Sequence, residues 1–231
     1  MTPALGRRLL AEAVGTSLLV GIGTGAIVAA AGRGGVPQIE LALAWFVAVA
    51  VPILLFARLS GAHLNPVVTL ALAVARRFPG REVLPYVAAQ FVGAFAGSLA
   101  VLGLLGDGAH LGATLPAGDD LGRTFVLEFV FTLALVGSVL VLVARGSAVR
   151  RWELLAPPFV VAVSTFLIGP YTGSSLNPAR TLAPGLLSGD LTGVGVYLLA
   201  AVTGALSAVV LLPQGRALAR SPQPSRADDG P

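Results

Sequence analysis

The nine residues Ser60–Val68, SGAHLNPVV, return as Thr172–Arg180, TGSSLNPAR. The pattern S/T-G-x-x-L-N-P-x-x thus occurs twice, with its asparagines 112 residues apart. Proline at the first turn of a helix forfeits no hydrogen bond, and asparagine just before it is a good N-cap. Each Asn-Pro therefore predicts a helix start. The apolar stretches that follow, about 66–75 and 178–187, are too short to cross a bilayer. Two half-length helices starting inside a membrane are tolerated only where they line a cavity or are buried in protein.

A membrane is required by the rest of the chain. Of its 231 residues 55% are hydrophobic and 11% charged, against about 25% charged in a soluble domain. That leaves too little polar surface to cover a water-soluble particle. Six apolar runs reach spanning length, at about 9–31, 39–57, 84–105, 124–144, 154–170 and 191–212. They are rich in Ala, Gly, Leu and Val, as expected where helices pack closely in lipid. The first run follows Arg7 and Arg8 like a signal peptide, but it is too long for a secretory core and contains Glu12, so it is expected to be a retained span.

All fifteen basic residues are arginine, and a pI near 10.6 raises the question of nucleic acid. The arginines sit at the ends of apolar runs rather than along an aromatic-laced stripe, so no nucleic-acid partner is expected. With the N-terminus in the cytoplasm, twelve arginines fall inside, and Arg33, Arg123 and Arg180 lie on the outer side with Asp107, Asp119 and Asp120. The positive-inside rule thus supports both six spans and a cytoplasmic placement of the two termini. The segments 1–7 and 214–231, rich in Pro, Ser, Arg and Asp, are expected to be disordered cytoplasmic tails. There is no cysteine, hence no disulfide or thiolate chemistry.

The repeat reaches beyond the motif. Glu12 and Thr16 in the first span match Glu128 and Thr132 in the fourth, 116 residues on. Each half, about 8–106 and 120–213, is then three spans with an Asn-Pro half-helix after the second. Three is odd, so the second half enters from the opposite side and the repeats are inverted. Two half-helix N-termini face each other at the midplane, both positive dipole ends. They oppose a cation or a proton and leave a neutral molecule unhindered. The expected fold is all-α, with six transmembrane helices and two re-entrant half-helices. The expected activity is passive passage of water and small uncharged solutes.

Individual residues take roles in this scheme. Asn65 and Asn177 can direct amide donors into the lumen and break the water wire that a proton needs. The buried carboxylates Glu12 and Glu128 need partners; their symmetric placement suits acceptors for unpaired loop N–H groups better than a proton relay. Arg180, three residues after Asn177, places a guanidinium where it repels cations and donates to neutral solutes. His63 is expected to hold the first loop rather than a metal. No metal site, cofactor or catalytic constellation is expected: G-x-S-x-G, H-E-x-x-H and P-loop patterns are all missing.

SGAHLNP and NPAR, set in two three-span halves with a Glu in spans one and four, resemble the aquaporin or major intrinsic protein family. The resemblance covers about 8–213. It implies the aquaporin fold, a homotetramer with one pore per subunit in the plasma membrane, and pore-centre motifs Asn65-Pro66-Val67 and Asn177-Pro178-Ala179. Val67 departs from the family's usual alanine. The resemblance also implies a selectivity filter at Trp45, Thr165, Ser174 and Arg180. Trp45 is similar to the glycerol facilitators and the nodulin-26-like channels, and Thr165 is small where water channels carry histidine. Thr181 and Gly185 depart from the glycerol-facilitator pattern, and Tyr197 resembles the water or nodulin-26-like type. This favours a nodulin-26-like filter passing water with glycerol, urea or metalloid hydroxides. A strict water channel and, less favoured, an ion-coupled transporter stay open as alternatives.

Overall fold

The computed structural model describes residues 3–146 and 149–212. Eight α-helices carry the fold: α1 (Leu5–Ala31), α2 (Gln38–Phe56), α3 (Pro66–Val74), α4 (Val83–Leu105), α5 (Leu121–Arg145), α6 (Ala156–Thr172), α7 (Pro178–Ser188) and α8 (Val194–Leu211). Six of these segments are long and apolar enough to cross a membrane, two of them with a short 3₁₀ turn in front, while α3 and α7 are the two predicted half-helices. Helix α1 begins at Leu5, so Leu5–Arg7 are helical where an irregular tail is expected. The extension is anchored by Arg8, whose guanidinium meets Glu82, before α4, at 2.6 Å and 3.0 Å. The tail expected at 214–231 lies outside the described residues.

Polar and ionisable side chains are buried within this bundle, and large apolar ones are exposed on its outside. Glu12, Gln90 and Glu128 are fully buried. Leu84, Val92, Leu104, Phe159, Leu199 and Val210 are exposed. Water would penalise that arrangement and hydrocarbon rewards it, which makes the molecule an integral multi-pass membrane protein.

The two halves are built alike. Helix α1 packs on α4 and α2, and α5 packs on α8 and α6. Both long crossings depend on glycine. A Cβ on Gly93 would run into the Ala13 carbonyl, and one on Gly204 would lie 2.6 Å from the Phe129 oxygen. Gly93 and Gly204 stand 111 residues apart, which extends the repeat to the third span of each half. Helix α2 packs against α6 and joins the halves, and α3 touches α7 where the half-helices meet.

Candidate conduction pathway

The half-helices start where the sequence predicts. Asn65 caps α3, its Oδ1 accepting from the Val67 N–H at 3.0 Å. Asn177 caps α7, its Oδ1 accepting from the N–H groups of Ala179 at 3.0 Å and Arg180 at 3.4 Å. Pro66 and Pro178 occupy the first turns. The asparagine side-chain amides, expected to direct donors into the lumen, tie the halves together. Asn65 Nδ2 donates to the Leu176 carbonyl and Asn177 Nδ2 to the Leu64 carbonyl, both at 2.9 Å. An amide NH₂ has two hydrogens. One on each asparagine is thus fixed across the interface.

The loops leading to the two caps hold left-handed backbone at non-glycine residues, Ala62 and Leu64 in the first half and Ser174 and Leu176 in the second. Such conformations cost about 1–3 kcal/mol each unless the surroundings over-determine them. The glutamates do so. Glu12 Oε1 accepts from Ser60 Oγ at 2.7 Å and the His63 N–H at 3.0 Å, and its Oε2 from the Leu64 N–H and Gln90 Nε2, both at 2.8 Å. Glu128 accepts from Thr172 Oγ1 at 2.7 Å and from the N–H groups of Ser175 and Leu176, both at 2.9 Å. Tyr86 and Tyr197, 111 residues apart, donate their hydroxyls to the carbonyls of Ser60 and Thr172 at 2.9 Å and 2.7 Å. In this geometry both carboxylates accept from backbone N–H groups of the loops. The motifs do not point to Gln90 or Tyr86, and the resemblance marks Tyr197 only as a sign of channel type. The spacing of the tyrosines is the signal that would have found them.

A cavity lies between the two Asn-Pro loops and the spans around them. Trp45, Arg180, Asn65, Asn177, Ile53, His63 and Val161 are among the residues that line it. The Asn-Pro flanks Val67 and Ala179 are buried in the helix packing on either side. The His63 ring places Nδ1 3.1 Å from Thr69 Oγ1 and packs on Phe78 and Tyr86.

Arg180 is almost fully buried. Its Nη1 donates to the Gly112 carbonyl at 2.7 Å and its Nη2 to the Gly173 carbonyl at 3.5 Å. Its guanidinium carbon stands 4.8 Å from the Trp45 ring centroid, within cation–π range. The Trp45 ring in turn needs Gly23, where a Cβ would approach it to 2.6 Å. Gly112 and Gly23 are thus two further determinants of this mouth, invisible to a motif reading. Thr165 and Ser174 are buried nearby but are not among the residues lining the cavity. The Thr165 carbonyl accepts from Gln38 Nε2 at 2.6 Å, and its hydroxyl has no partner. Ser174 Oγ pairs with Ser164 Oγ at 2.6 Å. Outside the spans, Asp190 faces His110 Nδ1 at 3.2 Å. Hydrogen bonds from Thr192, aided by His110, hold the Asp190 carboxyl below its ordinary pKa.

A largely apolar cavity lined by two asparagine amides and a buried guanidinium suits neutral, hydrogen-bonding molecules better than cations. Comparison with known proteins agrees. Residues 1–212 match the family model described as major intrinsic protein. The chain is 36% identical over 206 residues to aquaporin NIP1-1 of Oryza sativa subsp. japonica, covering 87% of this chain and 71% of that one. It is 34% identical over 204 residues to nodulin-26 of Glycine max, covering 87% and 74%. In three dimensions it is similar to the X-ray structure of the aquaglyceroporin from Plasmodium falciparum, with a TM-score of 0.77 and 28% identity over 90% of this chain and 95% of that chain. With cavity, caps and family model in agreement, the chain belongs to the major intrinsic protein family and is a passive membrane channel for water and small uncharged solutes.

Proposed function

We propose that the channel passes small polyols and related neutral solutes, such as urea or metalloid hydroxides, besides water. The observation that carries this reading is the pairing of Trp45 with Arg180 at one mouth. An indole offers a flat apolar wall to a carbon chain, and the guanidinium beside it offers donors to hydroxyl groups. Thr165 and Ser174, which are buried but do not line the cavity, belong to the filter through their small size and not as groups that face the solute. Similarity to nodulin-26 and to an aquaglyceroporin supports a mouth of this kind. In this reading Asn65 and Asn177, with Pro66, Val67, Pro178 and Ala179, form the pore centre. The protein works in the plasma membrane as a homotetramer in lipid, with both termini cytoplasmic.

Stopped-flow swelling of proteoliposomes tests the proposal. The expected outcome is water, glycerol and urea flux, with Arg180→Ala admitting larger solutes. Water flux alone in the parent protein would instead establish a strict water channel.

A further inference from the structure

The pseudo-twofold relation continues into the walls of the cavity. Ser60 and Thr172 make the same bond to their glutamates, and Tyr86 and Tyr197 the same bond to the carbonyls of those two residues. Asn65 and Asn177 donate reciprocally across the centre. The Asn-Pro loops therefore correspond at an offset of 112 residues, which we extend to the second-span helices that lead into them. Applied to the filter quartet, this offset relates Trp45 to Pro157, Thr165 to Ile53, Ser174 to Ala62 and Arg180 to Val68.

All four counterparts line the cavity. Because the halves are inverted, the counterparts lie at the other mouth. There the guanidinium, both hydroxyls and the indole are replaced by hydrocarbon. The first spans, related by 116 residues, carry the same contrast: Gly23 makes room for the Trp45 ring, while Val139, in the corresponding place, lines the cavity itself.

A solute crossing an apolar ring loses water from every polar group that finds no partner. His63, adjacent to Ala62 in the first loop, also lines the cavity, so a polar side chain stands beside the hydrocarbon ring. A polyol can turn its hydroxyls to His63 and its carbon edge to the ring. Urea is polar around its whole rim and has no such edge. We propose that Ile53, Ala62, Val68 and Pro157 form a second selectivity element, at the inner mouth. It selects by desolvation rather than by hydrogen bonding and favours small polyols over urea. This inference rests on the neutral-solute channel reading but not on the filter role of the outer quartet.

The test compares the parent protein with Ile53→Thr, Val68→Thr and the double variant in proteoliposomes, after gel filtration has shown each to be folded. Glycerol and urea permeabilities are measured by stopped-flow light scattering, and their ratio is the readout. One added hydrogen bond to a passing solute is expected to raise urea over glycerol about threefold per single variant and about tenfold in the double variant. An unchanged ratio in the folded double variant, with Trp45→Ala or Arg180→Ala shifting it, would overturn the proposal. If the parent passes water but neither solute, the broad-solute reading of the outer mouth fails on its own. The inner ring is then judged by whether urea flux appears in the double variant, which supports it, or stays absent, which overturns it.

Discussion

Replacing Glu128 by leucine isolates what a buried carboxylate contributes at the scale of one residue. The change leaves the N–H groups of Ser175 and Leu176 and the Thr172 hydroxyl without their acceptor. Each unpaired buried donor costs about 1–3 kcal/mol. The loop that presents Asn177 should lose its left-handed turns, and both the unfolding midpoint in detergent and water flux should fall. Glu12→Leu removes the acceptor of four donors and should be at least as damaging. Glu128→Gln keeps one acceptor oxygen and should be intermediate. A Glu128→Leu protein with the parent's midpoint would refute the scaffold role. At the same scale, Arg180 shows how much a motif conceals. NPAR places a cation at the lumen, but its direction is set by Gly112, 68 residues away in chain, and by Trp45, further still.

Among the elements, the long crossings are the most sensitive contacts. Helices α1 and α4 approach until Gly93 meets the Ala13 backbone, and α5 and α8 until Gly204 meets Phe129. Gly93→Ala and Gly204→Ala force the helices apart, and overpacking of this kind costs about 1–3 kcal/mol. Both variants are expected to unfold at lower temperature in detergent. Gly103→Ala serves as a control on α4, because nothing lies within 4 Å of the added methyl group. It should be neutral or slightly stabilising, since alanine is the better helix former. If all three variants behave alike, close backbone approach is not what sets these crossings. The half-helices are short by themselves, and their position depends on the asparagine bridges to the opposite loop. Neither half therefore completes the pore centre without the other.

For the whole molecule, the distribution of charge predicts how it sits in the bilayer. Among the described residues, Arg7, Arg58, Arg76, Arg81, Arg145, Arg150 and Arg151 are exposed on one side, and the acids of that side, Glu82 and Glu153, are bound to Arg8 and Arg145. Asp107, Asp119 and Asp120 are exposed on the other side. Because the chain has no cysteine, a single introduced thiol reports its own side. In intact cells a membrane-impermeant maleimide should label Asp119→Cys and spare Arg58→Cys until the membrane is opened. The reverse pattern would invert the orientation read from the positive-inside rule.

Much of the architecture is legible along the chain because it depends on local properties. Apolar run length sets the six spans, Asn-Pro sets the starts of α3 and α7, and an odd number of spans per half sets the inversion. The start of α1 at Leu5 was missed because hydropathy follows lipid contact, whereas that helix continues past the hydrocarbon to the Arg8–Glu82 pair. The filter positions are legible only through family resemblance, and their partners are not legible at all. Gly112 holding Arg180, Gly23 admitting the Trp45 ring and the asparagines bonding across 111 and 113 residues join parts of the chain with no local signature. The sequence by itself determined a membrane protein of two inverted halves with charge-opposing helix ends at its centre. Only the tertiary structure decided which groups face the solute, because that depends on how close two helices approach and which carbonyl a donor can reach.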